Sequence, residues 1–110
     1  MKIYFKTKNM AKVLNNKLLL RRKYGELSDS IMKRLKFLDQ VANLGQVPTS
    51  LPFRRHKLHT KKSDFKYAIC IKEPYRIVFQ PNGAPPISED GDIDLSEVTE
   101  ILIISIEDYH

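Results

Sequence analysis

Two alternating apolar runs separated by Glu73-Pro74 constrain this chain more than any other feature. Phe65, Tyr67, Ile69 and Ile71 fall on alternate positions, and Tyr75, Ile77 and Phe79 resume the pattern after the break. A period of two turns one face of each run toward a core. Proline between two such runs ends the first strand and opens a turn, so the pair predicts an antiparallel hairpin. Ile101 to Ile106 is dense in β-branched residues and predicts a further, central strand buried on both faces.

The N-terminal half reads differently. Lys2 to Lys6 alternates, with Ile3 and Phe5 on one side, and predicts a short strand. Asn9 is placed to cap a helix running to about Tyr24, with Met10, Leu14 and Leu18 as its stripe and Val13 and Leu20 beside it. Gly25 is its stop. Leu27, Ile31, Leu35, Leu38 and Val41 or Ala42 predict a second helix, with Ser28 or Asp29 as cap. Gly45, Pro48 and Pro52 prevent any further helix between Asn43 and Pro52. Gln80 to Glu97 carries Pro81, Asn82-Gly83, Pro85-Pro86 and Asp90-Gly91 and reads as a long acidic loop, mobile or functional. The order strand, helix, helix, strand, strand, strand predicts one α+β domain over residues 1–110, with a helical hairpin packed on a small antiparallel sheet in two layers.

Composition excludes several classes. No apolar run approaches the roughly 20 residues of a membrane span. The N-terminus turns basic at once and shows no signal-peptide core, so the cytoplasm is the expected location. A single cysteine, Cys70, excludes an internal disulfide framework and a multi-thiolate zinc site, and is expected to pack as a small apolar residue. Charge is strongly polarised. Residues 1–66 hold 17 of the 19 Lys and Arg and 4 of the 13 acids, a net +13. Residues 67–110 hold two bases and nine acids, a net −7. A one-sided basic field suits a polyanion, although helical lysines also serve simply as solvated surface. The dense stretch Arg54, Arg55, Lys57, Lys61, Lys62 lies outside any helical pattern and fits the polyanion better.

Four segments together resemble HigB-type toxins of the RelE/ParE superfamily: Lys57-Leu58-His59 with Lys61-Lys62-Ser63-Asp64, Tyr67-Ala68-Ile69-Cys70-Ile71, Tyr75-Arg76-Ile77-Val78-Phe79, and the closing Asp108-Tyr109-His110. The motifs cover about half the chain, and the element order covers nearly all of it. The resemblance implies a RelE/ParE-like fold and a ribosome-dependent endoribonuclease that cuts mRNA in the A site. It implies His59, Arg76, Asp108, Tyr109 and His110 as catalytic residues, and no cofactor. It also implies a HigA-like helix-turn-helix antitoxin as partner, with operator DNA bound only through that antitoxin. Two departures stand out. The family's Pro-Leu-Lys-Gly after the histidine is here Thr60-Lys61-Lys62-Ser63, so its lysine falls on Lys62 or its neighbour. A long acidic loop, 81–97, replaces what is usually a short turn.

The chemistry is coherent on residue types alone. Metal-free RNA cleavage needs a base for the 2′-hydroxyl, an acid for the leaving 5′-oxygen and a cation on the phosphorane. Histidine suits the first two roles; Arg76 and Lys62 suit the third. Tyr109 would stack on a base or orient a phosphate, and Asp108 would orient a histidine or an arginine. Arg54, Arg55, Lys57, Lys61 and Lys62 would bind the RNA backbone. Plainer readings stand beside these. His56 and His59 are loop histidines open to solvent, His110 is a frayed end, and Arg76 faces water or pairs with an acid such as Glu100. A metal held by His59, Asp108 and His110 is opposed by the nearby lysines. Two other functions remain open: a ParE-like gyrase inhibitor, and a non-catalytic RNA- or ribosome-binding module.

Overall fold

A computed structural model describes residues 1–58 and 65–108. His59, Lys61, Lys62, Tyr109 and His110 lie outside the described residues. The described chain runs β1 (Lys2–Phe5), α1 (Lys8–Leu14), α2 (Lys17–Tyr24), α3 (Ser28–Gln40), β2 (His56–Lys57), β3 (Tyr67–Lys72), β4 (Tyr75–Pro81) and β5 (Glu100–Asp108). The fold is α+β, as expected. The sheet order is β1-β5-β4-β3-β2. The sheet is mixed rather than antiparallel, because β1 pairs parallel with β5, Lys2 opposite Glu100 and Phe5 opposite Ile103.

The single helix expected from Asn9 to Tyr24 is two helices. Thr7, not Asn9, caps α1: its Oγ1 accepts from the Met10 N–H at 3.0 Å. Asn16 takes an extended backbone, and its Oδ1 accepts from the N–H groups of Leu18 and Leu19 at 3.0 and 3.1 Å. An asparagine that satisfies two amide donors competes with helix continuation and restarts it, and such a cap contributes about 1 kcal/mol. The break shifts the helical phase. Leu18, expected in the stripe, is 67% exposed, and Leu20 is buried in its place.

Gly25 ends α2 with φ +55, a conformation that side chains with a Cβ resist. Neither Ser28 nor Asp29 caps α3. Ser28 is buried and its Oγ donates back to the Gly25 carbonyl at 2.7 Å. At the far end, the Met1 amino group donates to the carbonyls of Leu38 and Asp39 and contacts that of Val41. A cation is favourable against the unsatisfied carbonyls of a helix C-terminus.

Leu20, Ile31 and Leu38 pack with Tyr67, Ile69, Ile77, Phe79, Ile101 and Ile103 in one core. Each fully buried aliphatic side chain contributes about 1.5–3 kcal/mol. The β3–β4 hairpin holds as read, with Ile69 opposite Ile77 and Tyr67 opposite Phe79. Only one face of β5 is covered. Ile101 and Ile103 are buried while Leu102 and Ile104 are half-exposed, because the helices lie on one side of the sheet. The β4–β5 register slips between Val78 and Phe79, so that Ile104 falls between the paired positions Ile103 and Ser105. Such a bulge turns the strand beyond it.

The loop after β4 is anchored rather than loose. Ile93 and Val98 are buried in the core, Ile87 bridges to Ile93, and the Leu44 N–H donates to the Val98 carbonyl at 3.0 Å. No helix among the described residues is long and apolar enough to cross a membrane.

Candidate nucleic-acid interface

Residues directly opposite across a sheet share a face. His56 lies opposite Ala68, Ala68 opposite Val78, and Cys70 opposite Arg76. These positions alternate with Tyr67, Ile69, Ile77 and Phe79, so they belong to the face turned away from the helices. A cleft of about 590 Å³ opens there, lined by Arg54, Arg55, His56, Lys57, Cys70 and Arg76, among others. Among the described residues its lining holds four cations and one acid, Glu73. A concave surface of one sign concentrates its field.

One wall is the segment before β3. The Arg54 N–H donates to the Ser50 carbonyl at 2.8 Å, and the Arg55 N–H to the Pro48 carbonyl at 3.0 Å. The Cys70 N–H donates to the Phe53 carbonyl at 2.7 Å, which ties the segment to β3 beyond the short β2. Phe53 packs on Phe37 with ring centroids 4.3 Å apart, and the Arg34 guanidinium lies 5.0 Å from the Phe53 ring centre. Arg34 also donates to the carbonyls of Cys70 and Ile71 at 2.8 and 3.2 Å. That arginine on α3 thus closes the edge of β3 that β2 leaves uncovered. Arg54 sits at φ +50, an uncommon conformation for a residue with a side chain.

His56 lines the cleft between Arg54 and Arg76. Its Nδ1 is 2.8 Å from the Arg54 carbonyl oxygen, and its Nε2 is 3.0 Å from Arg76 Nη1. A carbonyl only accepts and a guanidinium only donates. The network therefore assigns the Nδ1–H tautomer, with the Nε2 lone pair on Arg76.

The other cations are engaged to different degrees. Arg54 Nη1 is 3.2 Å from Glu73 Oε1, an exposed pair. The Arg55 guanidinium donates to the Leu44 carbonyl at 2.9 Å, and burial pulls its pKa down from the ordinary arginine value. Burial pushes the neighbouring Tyr67 hydroxyl up, and Asp92 adds to the shift while Arg55 opposes it. Lys57 Nζ lies 3.2 Å from Asp92 Oδ1 and 5.0 Å from the Phe65 ring centre. Cys70 is half-buried, with its thiol 3.7 Å from Glu73 Oε1, so it lines the cleft rather than only filling space.

Of the residues singled out in the sequence, the structure gathers Arg54, Arg55, Lys57 and Arg76 around one cleft. His59, Lys61, Lys62, Tyr109 and His110 lie outside the described residues. Asp108 sits opposite Tyr75 in the register, one step beyond Glu107, which sits opposite Arg76. Sequence reasoning read His56 as a solvent-open loop histidine and gave Glu73 and Glu107 no part in a site. The two-residue strand that positions His56 is too short to leave a periodicity. Its one legible signal is its place inside the densest basic stretch. Among the described residues no group of three or more His, Cys, Asp or Glu could hold a metal. Compared with known families and curated sequences, the chain matches no family model and no curated protein.

Proposed function

We propose that this protein is the toxin of a type II toxin–antitoxin pair, a RelE/ParE-like endoribonuclease that cleaves mRNA in the ribosomal A site. The observation that carries the reading is the cationic cleft with Arg76 held by a histidine on the helix-free face of a small sheet. It suits a phosphate backbone better than a neutral metabolite. In this reading Arg76 stabilises the phosphorane, His59 and His110 exchange the protons, and Asp108 orients a neighbour. Tyr109 stacks on a base. Arg54, Lys57, Lys61 and Lys62 bind flanking phosphates, while Arg55, already spent on the Leu44 carbonyl, contributes field more than contact. Attack by the 2′-oxygen expels the 5′-oxygen and leaves a 2′,3′-cyclic phosphate. The site of action is the cytoplasm, and an acidic segment of a HigA-like antitoxin would neutralise the same face.

The test uses purified protein with a defined mRNA, naked and on programmed ribosomes, with both product ends mapped. Cuts at A-site codons only on the ribosome, with cyclic phosphate ends, are expected. Products ending only in 3′-hydroxyls would sink the chemistry. Replacing His59 and His110 together should abolish growth arrest, whereas a gyrase inhibitor would keep it.

A second reading is a non-catalytic RNA-binding module. It is favoured by the engagement of both His56 ring nitrogens. Salt-sensitive RNA binding by folded protein, with no cleavage on or off the ribosome, would select it.

A further inference from the structure

His56 links two of the arginines of the cleft, Arg54 and Arg76. The unusual backbone of Arg54 presents its carbonyl to Nδ1, and Nε2 takes a hydrogen bond from Arg76. Arg76 stands on β4, in a sheet whose backbone is fixed by pairing with β3 and β5. His56 is fixed through β2 and through the Arg54 carbonyl. A long guanidinium side chain loses less freedom on binding when a rigid acceptor already holds one of its N–H groups. We propose that His56 is a positioning residue, which pre-orients the Arg76 guanidinium toward a phosphodiester of single-stranded RNA in the cleft. The inference rests on the RNA reading above, and it assigns to His56 no proton transfer.

The role asks one thing of position 56, a hydrogen-bond acceptor where Nε2 lies. His56→Gln offers an amide oxygen of similar reach, and His56→Leu offers none. The probe is a short single-stranded RNA methylated at every 2′-oxygen, so that it cannot be cleaved. Its affinity is read by fluorescence anisotropy, on variants shown by thermal melting to be folded. His56→Leu should weaken binding about tenfold, the order expected for losing a hydrogen bond to a charged group. His56→Gln should stay within about threefold of the parent protein on the same scale. In an Arg76→Ala background, His56→Leu should have no further effect, because the two act as one unit. Nitrogen-15 spectra of the free protein should show His56 protonated at Nδ1.

Equal binding by His56→Leu and the parent, a Gln variant as weak as Leu, additive losses in the double variant, or an Nε2–H tautomer would each overturn the positioning role while leaving the RNA reading intact. Failure of the parent protein to bind the RNA overturns the phosphodiester as occupant of the cleft, while the ribosome cleavage assay decides the RNA reading separately.

Discussion

Lys57 Nζ lies 3.2 Å from Asp92 Oδ1, so the acidic loop closes on the basic strand segment that lines the cleft. The strand supplies the cation and the loop supplies an anion placed where an incoming phosphate would compete for it. The Lys57 side chain is only 33% exposed in this arrangement. Asp92→Asn removes the competing charge without changing side-chain shape. It should tighten RNA binding by about threefold at low ionic strength, on the scale of a partly exposed ion pair. The difference should shrink as salt rises. Parallel anisotropy titrations of the two proteins across a salt series check this, and an unchanged low-salt affinity would show that the loop does not compete.

Acid should release the loop. Asp90 lies below the ordinary aspartate value of 3.8, first because the Ser88 hydroxyl donates to it and then because the Asp92 N–H does. Asp92 is lowered from the same value, first by the Ile93 N–H and then by Lys57. A carboxylate depressed in the folded protein adds stability that is present above its unfolded pKa and fades as pH falls through the folded one. The loop contacts should therefore hold at pH 5 and be lost below about pH 3.8. Amide chemical shifts of Gly91 and Ile93 followed through an acid titration are the measurement. A transition well above the ordinary aspartate range would contradict it.

Arg54 carries a conformational cost that glycine would relieve. Its φ of +50 falls where a side chain costs about 1 kcal/mol or more, and its ion pair with Glu73 is exposed and contributes little. Arg54→Gly should leave thermal stability unchanged or slightly raised, while weakening RNA binding through the lost cation. A variant that melts lower and binds equally well would reverse both parts of that expectation.

Cys70 should react slowly. Burial pushes its thiol above the ordinary value of 9.0, and the Glu73 carboxylate pushes it further. A raised pKa leaves less thiolate at neutral pH, and thiolate is the reactive form. Alkylation by iodoacetamide at pH 7.5 should run several-fold slower than for a free cysteine. Glu73→Gln should speed it. Equal rates in the two proteins would remove Glu73 from the account.

Much of the sheet was legible because hairpin strands carry their own periodicity, as Tyr67 to Phe79 does. The helix break at Asn16 was not. Leu14 and Leu18 keep a four-residue spacing across it, and the spacing cannot report that the chain restarts between them. The parallel pairing of β1 was hidden for a related reason, since Ile3 and Phe5 alternate identically whichever direction their neighbour runs. At the cleft, Arg76 stood out only through the resemblance carried by Tyr75-Arg76-Ile77-Val78-Phe79. His56 did not, because only its contacts with Arg54 and Arg76 distinguish it from any histidine in a basic stretch. The basic stretch itself pointed to residues that line one cleft, although Arg55 turns inward to the Leu44 carbonyl.

The pairing of β1 with β5 also sets an order on biosynthesis. Among the described strands β1 has no other neighbour, and β4 completes its pairing only when β5 arrives. A nascent chain lacking residues 100–108 has a half-built sheet and a β4 secured on one side only. Contacts between such distant segments form late, after the entropy of closing the intervening chain has been met. For a protein proposed to attack translating ribosomes, the timing acts as a safeguard. No copy can complete the sheet that carries its cleft until residues 100–108 have been made.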